Sequence, residues 1–169
     1  MYKIAIGCDH IVTGFKNEIR DMLIEKGYDV TDCGTYDDDR THYPIYGKKV
    51  AELVASGIVD RGIVICGTAV GISNAAQKTK NARVALVSDI STTISAREKY
   101  DANIIAFGGR IIGRGLAEDI VETFLNADYK QSAENDDNIK LINSIITNED
   151  NNHTFDPFII KWNEGFYHD

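Results

Sequence analysis

The residue with the clearest chemical potential is a cysteine at the end of an apolar run. Cys66 follows three β-branched residues in the stretch "RGIVICGTAVGIS" (61–73), and a glycine-spaced loop comes directly after it. The loop leads into a helical pattern, and backbone N–H groups at a helix start have no partner within the helix. Such oriented amides favour a thiolate and can stabilise an oxyanion or an enediolate. The spacing therefore predicts a base and an anion cradle at one position.

Structural roles are the alternatives for these residues. A free cysteine is a small apolar side chain that commonly lies in a core, and we assign that role to Cys8 and Cys33. The Thr68 hydroxyl either caps the following helix or meets a ligand. The loop matches neither G-x-G-x-x-G nor G-x-x-x-x-G-K-[ST], which argues against a dinucleotide site or a P-loop.

Two further segments carry polar side chains that could bind a ligand. Asp9 and His10 follow the first apolar run, and such a pair can orient a sugar hydroxyl or meet a phosphate. Taken alone, they are better explained as a helix cap and a surface histidine. Arg40 lies in "DDDRTHYP" (37–44), where the acidic run is typical of a solvated turn and a lone guanidinium suits a phosphate. We expect His42 to serve the turn or the surface.

The elements that must position these residues alternate between short β-branched runs and longer amphipathic stretches. This alternation predicts an α/β fold whose parallel five-stranded sheet is covered by helices on both faces. Ligands bind such sheets at the carboxyl ends of the strands, where the three segments above would meet. The predicted strands are 3–7, 28–34, 62–66, 83–88 and 103–108, and the predicted helices are 14–27, 44–57, 70–79, 90–99, 113–129 and 135–147.

Composition excludes several classes of protein. The 169 residues suffice for one domain, and no apolar run approaches the roughly 20 residues of a membrane span. The net charge of −8, without a basic patch, argues against a nucleic-acid partner. Three cysteines without a CxxC spacing argue against a disulfide framework or a zinc site and fit a reduced cytoplasm, and we find no signal peptide. We therefore expect a cytoplasmic protein without membrane segments.

Four segments resemble the ribose-5-phosphate isomerase B and galactose-6-phosphate isomerase family: "IAIGCDH", "GTYDDDRTHYP", "GIVICGTAVGIS" and "NIIAFGGRIIG". The similarity runs in order over about residues 1–130. It implies a Rossmann-like three-layer α/β/α sandwich that interconverts an aldose phosphate and a ketose phosphate through a cis-enediol, without a metal or another cofactor. By this resemblance Cys66 is the catalytic base and Thr68 assists near the ring oxygen. The implied substrate-binding positions are Asp9, His10, Arg40, Gly67, Ala69, Val70 and Gly71.

The chain departs from the family pattern at informative places. Ala69 replaces the second glycine of the usual Cys-Gly-Thr-Gly, which costs about 1 kcal/mol if the position needs a positive φ. Lys99 and Tyr100 stand where ring-opening members carry His-Asn, and 130–140 lacks the family's phosphate-binding arginines. The resemblance therefore implies an obligate hetero-oligomer in which LacA, the complementary subunit of galactose-6-phosphate isomerase, supplies the missing groups.

The resemblance also sets the expected function and its alternatives. The leading expectation is interconversion of galactose 6-phosphate and tagatose 6-phosphate in lactose or galactose breakdown. A homomeric ribose-5-phosphate or allose-6-phosphate isomerase and a non-catalytic sugar-phosphate-binding protein remain open. We divide the chain into an isomerase domain at 1–150 and an aromatic tail at 151–169, which packs on its own body or on a neighbouring subunit.

Overall fold

The structure, a computed structural model, describes residues 2–144 and 156–165. The end of the helix predicted at 135–147 and part of the aromatic tail lie outside the described residues. Within these ranges the chain forms a five-stranded sheet in which every strand pair is parallel, in the order β2-β1-β3-β5-β4. The strands are β1 (Lys3–Cys8), β2 (Asp29–Asp32), β3 (Arg61–Cys66), β4 (Val84–Leu86) and β5 (Ile104–Gly108).

Seven helices and a short 3₁₀ turn (His10–Val12) surround the sheet in the described part of the chain. A glycine with positive φ follows α1 (Gly27, φ 88°) and another follows α2 (Gly57, φ 74°), as is common where a helix ends. The helices are α1 (Thr13–Glu25), α2 (Tyr43–Ala55), α3 (Val70–Gln77), α4 (Ile90–Glu98), α5 (Arg114–Asn126), α6 (Ala133–Ser144) and α7 (Asp156–Asn163).

Two apolar layers confirm the predicted three-layer α/β/α architecture. On one face of the sheet, α1, α4 and α5 bury residues such as Ile19, Ala96 and Phe124. On the other face, α2 and α3 bury residues such as Val50 and Ile72. The sheet contributes alternate side chains of the same strands to both layers, as expected for strands covered on both sides.

Three predicted elements exceed the observed ones by three residues or more. The strand predicted at 28–34 ends at Asp32 and the strand predicted at 83–88 spans only Val84–Leu86. Both are edge strands with a neighbour on one side only, so less pairing holds their ends in the ladder. The helix predicted at 113–129 ends at Asn126, because Ala127 is extended, with ψ 132°.

The described part of the aromatic tail packs on the body of the same chain. Trp162 in α7 is half-buried against the apolar layer of α2 and α3, and Lys49 Nζ lies 4.9 Å from the centre of its ring. Ile160 in the same helix is exposed. None of the helices in the described ranges has the length and apolar character needed to span a membrane.

Candidate active site

Cys66 lies at the carboxyl end of β3, the central strand of the sheet. The chain passes from β1 to β2 on one side and returns to β3 on the other, so β1 and β3 flank the switch point at which such sheets bind ligands. The Cys66 side chain is largely buried but retains 6% of its exposure. Its Sγ accepts a hydrogen bond of 3.0 Å from the backbone N–H of Ala69. This bond fixes the sulfur beside the amide at the start of α3.

The loop after Cys66 turns sharply at Ala69. This residue has φ 66° and ψ −8°, in the left-handed region, and it is fully buried at the start of α3. The positive φ anticipated for an alanine here is therefore present. The conformation aims the Ala69 amide at Cys66, so this amide is engaged with the sulfur. The exposed Thr68 accepts a long hydrogen bond, 3.4 Å, from the Val70 N–H, which is the capping role foreseen for its hydroxyl.

The segment after β1 rests on the Cys66 loop. The Asp9 N–H donates to the carbonyl of Ile65 at 2.9 Å. A methyl group built on Gly67 would lie 3.0 Å from Cδ1 of Ile11, so the 3₁₀ turn covers this glycine closely. Asp9 is buried, and its Oδ1 lies 2.5 Å from Nδ1 of the half-buried His10. The two atoms are in close contact, but they are not aligned as a hydrogen bond.

The loop between β2 and α2 reaches the same region through Tyr43. A methyl group on Gly71 would lie 2.6 Å from the Tyr43 ring, so the tyrosine packs directly on the first turn of α3. Arg40 is exposed on this loop, and in the described ranges no hydrogen bond or ion pair joins it to the Cys66 loop. His42 is exposed and directly precedes α2.

Arg110 is a site residue that the sequence analysis did not single out. It follows β5, which pairs with β3, and its N–H donates to the carbonyl of Gly67 at 3.1 Å. Its Cδ lies 3.8 Å from a methyl group built on Gly67, and its side chain is exposed. A cation therefore lies beside the loop of Cys66. Arg110 could have been found from the sequence because it follows the end of a predicted strand, as the other candidate segments do.

The other two cysteines have the structural environment predicted for them. Cys8 is fully buried and Cys33 is 2% exposed, on opposite apolar layers. Burial raises the pKa of the Cys8 thiol and raises the pKa of Cys33 to about 12. Both remain neutral thiols near neutral pH, which sets them apart from a cysteine that must act as a base.

Large apolar side chains surround the mouth of the site. Ile11, Val70 and Ile111 are 38%, 51% and 62% exposed, and each lies in a segment that contacts or forms the Cys66 loop. Tyr43 is also exposed beside them. We call these four residues the apolar rim. A separate cavity of about 300 Å³ lies beside β4, lined by residues such as Arg83, Tyr100 and Ile142, and no predicted site residue lines it.

Comparison with known proteins gives a consistent result. The family model described as ribose/galactose isomerase matches residues 4–142. A curated relative from Clostridium acetobutylicum, "Galactose-6-phosphate isomerase subunit LacB", is 53% identical over 97% of this chain and 97% of its own length. "Ribose-5-phosphate isomerase B" from Escherichia coli is 46% identical over 77% of this chain and 87% of its own length.

Solved structures of ribose-5-phosphate isomerase B also superimpose on this fold. Ribose-5-phosphate isomerase B from Clostridium thermocellum superimposes with a TM-score of 0.83 at 45% identity, covering 85% of this chain and 96% of the other. The Mycoplasma genitalium enzyme, solved with bound ribulose-5-phosphate, gives a TM-score of 0.79 at 33% identity, covering 83% and 93%.

Proposed function

The chain belongs to the ribose/galactose isomerase family, whose members compared above are sugar-phosphate isomerases, and from this premise we propose that it forms part of an aldose–ketose isomerase for galactose 6-phosphate. The observation that carries the proposal is Cys66, held at the central strand end by the Ala69 amide. This bond orients the sulfur for the role of a base, beside the amides of a helix start.

The proposed reaction moves one proton between the first two carbons of the open-chain sugar. The Cys66 thiolate removes the proton from C2, the electron pair forms the double bond of a cis-enediol, and the carbonyl oxygen at C1 takes a proton from water. The thiol then returns its proton to C1 while the C2 hydroxyl gives its own proton to water and becomes a carbonyl, which yields tagatose 6-phosphate with no net change in protons. We assign the Gly67 and Gly71 amides to the negative charge that develops on the sugar oxygens, with Thr68 in the same loop assisting them.

A sugar phosphate needs local positive charge, because the chain carries a net charge of −8. We assign this role to Arg110, whose side chain lies against Gly67, and to Arg40 on the β2–α2 loop. Guanidinium groups bind phosphate through paired hydrogen bonds. Asp9 and His10 would bind sugar hydroxyls from the other side of the Cys66 loop, since the 3₁₀ turn rests on Gly67.

The fold supports the proposal that a second polypeptide completes the site. Lys99 and Tyr100 follow α4, which returns the chain to the start of β5. They therefore lie at the amino-terminal ends of the strands, whereas Cys66 lies at the carboxyl end of β3. Five residues of β5 span roughly 16 Å at about 3.3 Å per residue. Side chains at 99 and 100 are thus too distant to act on Cys66 of the same chain. The start of α6 lies at the amino-terminal ends too, because Asn135 Nδ2 donates to the carbonyl of Glu98 at 3.5 Å.

The proposed partner is LacA, the complementary subunit of galactose-6-phosphate isomerase. This chain offers Lys99, Tyr100 and an acidic α6 at the amino-terminal ends of the strands, so two copies of it would supply no His-Asn pair and few cations to each other's Cys66. The apolar rim around Cys66 supplies a surface for the partner, since exposed apolar residues at the mouth of a site favour association. The named relative that matches 97% of the chain is itself described as a subunit.

Homomeric ribose-5-phosphate isomerase is the second candidate. It is supported by 46% identity to the Escherichia coli ribose-5-phosphate isomerase B. That match covers 77% of this chain, whereas the LacB protein of galactose-6-phosphate isomerase matches 97%. The longer match favours the hexose phosphate.

The experiment compares the purified chain, purified LacA and their mixture on galactose 6-phosphate, ribose 5-phosphate and allose 6-phosphate. We expect turnover of galactose 6-phosphate only in the mixture, and loss of that turnover in the mixture made with Cys66→Ala. Full turnover by the chain alone would reject the heteromer, and preference for ribose 5-phosphate would favour the second candidate. Sugar-phosphate binding without turnover in any mixture would favour a non-catalytic binding protein.

A further inference from the structure

Two threonines with buried hydroxyls lie behind the site, where they are shielded from solvent. Thr13 begins α1 and is 3% exposed, and Thr35 in the β2–α2 loop is fully buried. Their Oγ1 atoms are 2.5 Å apart. Thr13 Oγ1 also lies 2.8 Å from the Asp37 carbonyl and 3.0 Å from the His10 carbonyl. We call Thr13 and Thr35 the threonine pair.

The hydrogen bonds of the threonine pair have one consistent direction. The Thr13 hydroxyl has one proton, which it shares between the Asp37 and His10 carbonyls, since neither carbonyl can donate. In this arrangement Thr35 donates to Thr13. Cys8 Sγ lies 3.4 Å from Thr35 Oγ1 and supplies the remaining donor. Burial raises the pKa of the Cys8 thiol, so the sulfur keeps the proton that this arrangement needs.

The threonine pair connects two segments that carry proposed substrate ligands. The 3₁₀ turn, with His10, rests on the Cys66 loop through Ile11 and receives the Thr13 hydroxyl at the His10 carbonyl. The β2–α2 loop, with Arg40, receives the same hydroxyl at the Asp37 carbonyl. The two segments are joined here by side chains, in addition to the backbone bond from the Cys8 N–H to the Gly34 carbonyl at 2.7 Å.

We propose that Thr13 and Thr35 are positioning residues that fix the separation of His10 and Arg40, and thereby the width of the substrate site. The inference rests on the proposed function, because it assigns both ligands to one sugar phosphate. The pair acts through His10 and the β2–α2 loop and does not touch the substrate, since both hydroxyls are buried. Misplacement of a ligand by about 1 Å can cost two orders of magnitude in rate.

The test uses Thr13→Val and Thr35→Val in the complex with LacA, with galactose 6-phosphate as the substrate. We expect each substitution to raise KM about tenfold with a smaller fall in kcat, and Thr13→Ser to restore the wild-type KM. The matched control is Thr93→Val, because Thr93 is also fully buried and its hydroxyl donates to a carbonyl, that of Asp89, at 2.7 Å in α4. This control lowers thermal stability without moving KM.

A double substitution separates positioning from a purely structural role. In a His10→Ala background, Thr13→Val should change kcat/KM less than it does in the wild-type background, because one of the two positioned ligands is already absent. An undiminished effect in that background, or KM unchanged in both valine variants, would overturn the inference. If Thr13→Val does not fold, Thr35→Val carries the test, because it removes the bond between the β2–α2 loop and Thr13. A wild-type complex that isomerises no sugar phosphate would refute the proposed function instead.

Discussion

Ala69 is the residue at which backbone conformation and proposed chemistry meet. Its left-handed conformation costs an alanine about 1 kcal/mol, and in return the amide reaches Cys66 Sγ at 3.0 Å. The methyl group is fully buried among apolar residues, which offsets part of this cost. The side chain therefore contributes packing, while the amide contributes to the site.

Substitutions at residue 69 should separate the methyl group from the amide. Ala69→Gly relieves the strain but loses a buried methyl group, so we expect a free energy of unfolding within about 1 kcal/mol of wild type and kcat within about threefold. Ala69→Val should lose about 2 kcal/mol or more, because a β-branched residue tolerates positive φ poorly. Urea unfolding and steady-state kinetics measure both. A tenfold loss of kcat in Ala69→Gly would show that the methyl group itself matters.

Cys33 makes stability depend on alkaline pH. Its pKa is raised from 9.0 to about 12 by burial, so the unfolded chain releases this proton more readily than the folded one. The stabilising effect is complete below pH 9 and is lost as the pH rises from 9 towards 12, by up to about 1.4 kcal/mol per pH unit. Urea unfolding between pH 8 and 10.5 should show a shallower decline in Cys33→Ala than in wild type. Equal slopes would contradict the assigned environment.

At the scale of elements, strand order explains what the sequence could and could not predict. Cys66, Asp9 and His10 could be predicted because each lies at the end of an apolar run. Arg110 was missed because β5 lies beside β3 although β4 separates them in sequence. The pattern of apolar residues defines strands but not which strands are neighbours. Tyr43 was missed because its contact with Gly71 depends on how α2 packs on α3.

The close packing of α2 against α3 requires a glycine at position 47. A methyl group on Gly47 would lie 2.8 Å from the carbonyl oxygen of Ile72, so Gly47→Ala must push the two helices apart. We expect a loss of about 1–3 kcal/mol in urea unfolding, together with a higher KM because Tyr43 moves with α2. Gly115→Ala is the control: it lies in α5 with open space around it, and it should gain about 0.5 kcal/mol. Equal stability of the two variants would contradict the packing.

At the scale of the whole molecule, the groups proposed for catalysis and those at positions 99 and 100 lie at opposite ends of the strands. The end at Cys66 has the proposed base, the helix amides and Arg110, whereas the other end carries Tyr100 and an acidic helix, α6. The fold could be predicted from the sequence because strand and helix periodicity specify it. The apolar rim could not, because it is formed by residues from four separate segments whose exposure depends on the tertiary structure.

The apolar rim predicts a specific defect in assembly. Ile111→Asp places a charge on the rim at a side chain that is 62% exposed, and it should weaken association with LacA at least tenfold while the unfolding of the isolated chain is unchanged. Ile24→Asp, on α1 at 52% exposure, should associate normally. Sedimentation velocity of the mixtures measures both. Equal association of the two variants would place the interface elsewhere.

The central claim is that the Cys66 sulfur breaks the C–H bond at C2 of the sugar. The most direct measurement is the rate of C2–deuterium cleavage in galactose 6-phosphate deuterated at C2, followed by NMR in the complex with LacA. Deuterium is counted both at C1 of the ketose and in water. We predict that Cys66→Ala slows this cleavage about 10³-fold, while Cys33→Ala leaves it unchanged. Cleavage at the wild-type rate in Cys66→Ala would contradict the account.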